Sequence, residues 1–177
     1  NMSPRAQAVI DFWFEDTPSE KRFKKDPTFD QLIKDKFLKD YELASVNEYD
    51  DWQDTPMGTL ALIILFDQFS RNMFRDDAKA FNQDHKARLI VNDSVYAGFL
   101  DKMDQDQRFF MLLPLIHSEE ITDHDMVYYL LDKYLKDHSE PHPESQYYEE
   151  TETTRDNESL TAKIDAEEDP DVIQAKK

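Results

Sequence analysis

The 177-residue chain contains no cysteine and only two glycines, Gly58 and Gly98. The missing cysteine excludes a disulfide framework, a thiolate zinc site and a cysteine nucleophile. Scarce glycine argues against a β-rich fold, whose tight turns call for positive φ, and against a phosphate-cradling loop or a dinucleotide fingerprint. No run approaches the roughly 18 consecutive apolar residues of a membrane span. The opening stretch "NMSPRAQAVIDFWF" lacks the basic-then-apolar order of a signal peptide. Together these absences lead us to expect an all-α, cytoplasmic protein with no cofactor and no membrane partner.

Basic charge is also in short supply, with 21 Lys and Arg against 39 Asp and Glu and a formal net charge of −18. Such a field repels phosphate backbones at long range, so nucleic acid is not expected as a partner. A basic or polar partner fits better, and the same charge also serves solubility alone.

Aromatic residues are plentiful, with 12 Phe, 8 Tyr and 2 Trp, and the length suits one domain plus a tail. Ser3 before Pro4 is a helix-start signal and opens "RAQAVIDFWF" with Val9, Ile10, Trp13 and Phe14 as its candidate inward residues. A second helix is expected from a cap at Thr28, with Phe29, Leu32, Ile33, Phe37, Tyr41 and Ala44 at helical spacing. Thr55 and Pro56 repeat the signal for a third helix reaching about Phe74. Its apolar residues surround the helix, which marks it as the buried centre of the domain.

A fourth helix is expected from Asp76 or Asp77 to the stop at Gly98, a fifth from a cap near Asp104, kinked at Pro114, and a sixth from a cap at Thr122 to about Lys136. The starts at 28, 77 and 122, and at 55 and 104, are separated by 49, 45 and 49 residues. This spacing suggests stacked antiparallel helical hairpins. The expected organisation is a helical domain of about six helices over residues 2–138, followed by an acidic tail at 139–177 with low regular structure. The tail carries 12 acidic and 4 basic residues, too little apolar content to offset its ordering entropy.

Three stretches, "DFWF" at 11–14, "GTLALIILFDQFSRNMFR" at 58–75 and "RFFMLLPLIHSEE" at 108–120, together with "AFNQD" at 80–84, resemble the bacterial family called domain of unknown function 924. The resemblance covers roughly residues 6–137 and implies an all-helical, tetratricopeptide-like fold and no established activity. The family pattern falls on Asp67, Gln68, Phe69, Arg71, Asn72 and Arg75, and on Leu113, Pro114, Leu115, His117, Ser118 and Glu119. Ser70 stands where many relatives have proline or another small residue. Relatives continue past the sixth helix into an aromatic, basic turn, where this chain has "HSEPHPESQYYEETETTRDNE".

Polar residues at the end of a buried helix raise two readings. Asp67 and Arg71 lie one turn apart, as do Gln68 and Asn72, so each pair can bridge along the helix. Either the cluster is a clasp that holds the corner with the next helix, or Arg71 and Arg75, with Asn72 and Gln68, line a site for a peptide or small anionic ligand, since the guanidinium fork matches carboxylate and phosphate. His117 with Asp67 or Glu119 offers a general base and its orienting carboxylate for a hydrolase. If a metal is bound, its ligands are His117, Glu120 and His124, although a helix break at Thr122 separates the two histidines; no metal is expected. A homo-oligomer, with the tail docking on another copy, is the remaining possibility.

Overall fold

The computed structural model describes residues 2–136, which fold as helices and connecting turns with no strand among the described residues. The fold class is all-α. Two compact units divide the chain, the first ending at Pro114 and the second beginning at Leu115. The expected acidic tail lies outside the described residues.

In the first unit, helix α1 (Pro4–Ile10) opens as its signal indicates, with the Ser3 hydroxyl accepting the Arg5 amide proton and Pro4 in the first turn. It continues as a π-helical segment, Asp11–Asp16. Helix α2 (Pro27–Ser45) is capped two residues before Thr28, because the Asp26 carboxylate accepts the amides of both Thr28 and Phe29 and Pro27 occupies the first turn. Its inward face carries Phe29, Ile33, Phe37, Tyr41 and Ala44, while Leu32 is exposed.

Thr55 caps helix α3 (Pro56–Ile63), its hydroxyl accepting the Gly58 amide proton. Gly58 is required for a packing reason, since a Cβ there would lie 2.2 Å from the Trp52 carbonyl oxygen. The continuous third helix expected from the sequence is a composite: α3, a π-helical segment Ile64–Phe69, and a last turn, α4 (Ser70–Met73). Every residue from 58 to 74 is buried, as its all-round apolar pattern requires.

Asp77 acts as a cap, but only for a 3₁₀ turn, Ala78–Phe81. Helix α5 (Asp84–Tyr96) follows and ends at Gly98, whose φ of 78° is the left-handed value glycine suits. Helix α6 (Gln105–Ile116) opens with a reciprocal box. The Asp104 carboxylate accepts the Gln107 amide at 2.8 Å and the Gln107 side chain accepts the Asp104 amide at 2.9 Å. Pro114 lies inside α6, immediately before the second unit.

Aromatic rings join the pieces of the first unit. Phe12 meets Phe37 at 5.3 Å and Phe69 at 5.8 Å, and Trp13 sits between Phe69 and Phe110 at 5.7 and 5.6 Å. These are edge-to-face geometries, each contributing about 0.5–1.5 kcal/mol beyond burial. The second unit contains helix α7 (Ile121–Lys136), with Val127 and Leu130 buried. It starts one residue ahead of Thr122, which therefore lies within the helix instead of capping it.

Candidate functional site

The polar residues at the end of the buried helix have a backbone cause. In a π turn the amide reaches five residues back, as Ser70 does to Leu65, and the change of register alters how nearby carbonyls are served. Two of those carbonyls take side-chain donors: the Ser70 hydroxyl donates to Phe66 O at 2.5 Å and Asp67 O at 3.1 Å, and Arg71 Nη1 donates to Asp67 O at 3.0 Å. A buried carbonyl left unserved costs about 1–3 kcal/mol. Ser70, to which the family pattern lends no role, is thus part of the closure.

Arg71 then fans out. Its Nη1 donates to Asp67 Oδ1 at 3.1 Å and to Asp84 Oδ1 at 3.2 Å, while Nη2 reaches Asp84 Oδ2 at 3.2 Å. The Asp67 carboxylate, 1% exposed, also accepts from the Gln68 amide at 2.8 Å. Asp84 is the first residue of α5, so this pair ties the end of the central helix to the next one. One turn on, Arg75 forks onto Asp30 of α2, with Nε at 2.8 Å and Nη2 at 3.2 Å, and Asn72 donates to the same carboxylate at 2.8 Å. The expected Gln68–Asn72 pair does not form, because Asp67 and Asp30 are stronger, charged acceptors for the two amides.

Three carboxylates, Asp30, Asp67 and Asp84, therefore surround two guanidiniums. Toward solvent the cluster is rimmed by Phe81, whose ring centroid lies 5.0 Å from the Arg71 guanidinium carbon and which remains 48% exposed. Within the first unit the structure brings together Asp67, Gln68, Arg71, Asn72 and Arg75, gives Ser70 of the same stretch a role, and adds Asp30, Asp84 and Phe81 from outside it.

His117, Glu119, Glu120 and His124 belong to the second unit. Residues 117–120 form a bend and open loop between α6 and α7, so the two histidines do not share one helix. Ser118, buried, organises the start of α7: its hydroxyl accepts the Glu120 amide at 3.0 Å and donates to Asp123 Oδ2 at 2.6 Å. The His124 ring faces the Ser118 carbonyl at 2.7 Å, so this histidine contacts the backbone and not the hydroxyl. Among the described residues no group of three or more His, Asp or Glu is placed to hold a metal ion.

A further buried arginine carries no signal in the sequence. Arg22, in the polar connection after α1, is buried between the rings of Trp13, Phe14 and Phe110, at 5.9, 5.4 and 5.4 Å. It donates to the Trp13 carbonyl at 3.2 Å and to Asp106 at 3.0 Å. No spacing signal marks it, since its partners lie 8 to 9 and 84 residues away.

Fold and site together define an all-helical protein organised around buried arginine–carboxylate networks that close π-helical turns. The chain belongs to the family described as bacterial proteins of unknown function, DUF924, whose model matches residues 9–164 and so extends past the described residues. It is similar to the solved structure of a protein of unknown function from Agrobacterium tumefaciens, at 34% identity over 69% of each chain with a TM-score of 0.66. No curated protein matches it. Among the described residues no helix is long and apolar enough to cross a membrane.

Proposed function

We propose that this chain is a helical binding or scaffold module, its hairpins stacked in the tetratricopeptide-like manner, which takes a peptide at the rim of the Arg71 network. The observation that carries this reading is the setting of Phe81. Its ring is nearly half exposed, yet it rests on a guanidinium that Asp67 and Asp84 hold in place. An aromatic surface fixed in this way loses little side-chain freedom on binding.

A peptide is favoured over a small anion by the state of the arginines. Arg71 is forked onto Asp84 and Arg75 onto Asp30, so an added anion must displace a carboxylate already in position. A cytoplasmic location belongs to the same proposal and is checked by cell fractionation. The proposal rests on the first unit alone, so His117 has no part in it.

An array of short synthetic peptides tests this reading, probed with the wild type and with Phe81→Ala. Selective binding by the wild type, lost in Phe81→Ala with an unchanged unfolding midpoint, supports the module. Absence of any selective peptide, or equal binding by the variant, overturns it.

A further inference from the structure

Both π-helical segments of the first unit are closed by the same device. At the first, Asp11–Asp16, the Thr17 hydroxyl donates to the Phe12 carbonyl at 2.6 Å, while Arg22 donates to the Trp13 and Phe14 carbonyls at 3.2 and 3.5 Å and is anchored on Asp106 at 3.0 Å. At the second, Ile64–Phe69, the Ser70 hydroxyl and Arg71 serve the Phe66 and Asp67 carbonyls, and Arg71 is anchored on Asp84. Each closure is one hydroxyl plus one arginine, and each arginine ends on an aspartate in the first turn of a following helix, α6 or α5.

The two segments also touch. Phe69, the last residue of the second, packs edge-on against Phe12 at 5.8 Å and Trp13 at 5.7 Å, both in the first, and all three side chains are buried. A π turn is a rare register that persists where its surroundings fix it. Should a closure be lost, the ladder relaxes toward the α-helical register, and each step in register turns the side chains by about 100°. In a close-packed interior Phe69 cannot turn while Phe12 and Trp13 stay still.

We infer that the two π segments form one coupled element, in which releasing either closure loosens both, and that its handles are Asp84 and Asp106. Those carboxylates are the accessible ends of the two arginine anchors, 35% and 52% exposed, whereas Arg71 and Arg22 are buried. A cationic group of a partner that engages either aspartate competes with the buried arginine for it. The net charge of −18 draws such groups in. The element thereby links the loop after α1 to the corner before α5.

Native-state hydrogen exchange read by mass spectrometry tests the coupling in the full chain. Ser70→Ala should speed exchange by about ten-fold in peptides covering 11–17 as well as 64–73, and Thr17→Val should do the same from the other side. Ser45→Ala is the control, since its hydroxyl also donates to a backbone carbonyl, Tyr41 O at 2.7 Å, but within α2 and serving no carbonyl of either segment; neither segment should respond. Asp106→Asn, a surface change that leaves the hydroxyls intact, should reproduce the paired response even if Ser70→Ala fails to fold. Exchange that rises only beside each substitution, or rises equally with Ser45→Ala, overturns the inference.

Discussion

Replacing Arg71 by alanine separates a clasp from a dispensable surface group. The substitution removes donors to the Asp67 carbonyl at 3.0 Å, to the Asp67 carboxylate at 3.1 Å and to Asp84 at 3.2 Å. Asp67 is left 1% exposed, and breaking a buried pair in this way costs about 3–5 kcal/mol. Asp84 is about a third exposed, so solvent screens its arm, which contributes under about 1 kcal/mol. The expected loss is therefore about 3–6 kcal/mol, or a fall in Tm on the order of 10 °C for a chain of this size. Arg75→Ala is the internal comparison: its ion pair with Asp30 is 26% and 13% exposed on the two sides, so about 1–2 kcal/mol is expected. Converting both members of the buried pair, Asp67→Leu with Arg71→Met, should recover much of the loss, because an apolar pair of similar volume removes the stranded charge. Urea unfolding followed by near-ultraviolet circular dichroism measures all four proteins. A loss below about 1 kcal/mol for Arg71→Ala, or a double variant no better than the single one, refutes the reasoning.

Gly58→Ala forces a Cβ against the Trp52 carbonyl and should cost about 2 kcal/mol in the same unfolding assay, because the obstacle is backbone. Burial, followed by its hydrogen bond to Asp40, raises the Tyr49 phenol from its ordinary 10.0 to about 12. Between those values the folded chain holds a proton that the unfolded chain has lost, so stability should fall as pH rises from 10 toward 12. Tyr49→Phe should flatten that slope in part, the remainder coming from Tyr41, which burial raises in the same direction. Ser118→Ala removes the acceptor for the Glu120 amide and the donor to buried Asp123; about 1 kcal/mol is expected, with faster hydrogen exchange confined to residues 119–124.

Helix starts were legible at Ser3–Pro4, Thr55–Pro56 and Asp104–Gln107, where a capping side chain precedes proline or faces a reciprocal partner. Asp26–Pro27 carries that same signal, and it decides against Thr28 because a carboxylate and a proline in the first turn act together. At the start of α7 the organising hydroxyl is Ser118, two residues ahead of the amide it serves, which no local cap pattern at Thr122 announces. The Asp67–Arg71 bridge could be read from i, i+4 spacing, but its second half, Asp84, comes from the next helix and depends on tertiary placement. The π turn at 64–69 left no trace in hydropathy, since a segment buried on all sides looks alike in either register. Arg22 was hidden for the opposite reason, a buried residue within a stretch of charged ones.

The π turn in the central helix also makes segment length a determinant of the site. Substitutions within 64–69 change packing, but inserting one more residue there exceeds what the single wide turn absorbs, and everything after it rotates by about 100°. Arg71 would then point away from Asp84, and Asn72 and Arg75 away from Asp30, although every one of those side chains would still be present. For this protein a one-residue insertion between Ile64 and Phe69 is a larger event than replacing any single polar residue it carries past the turn.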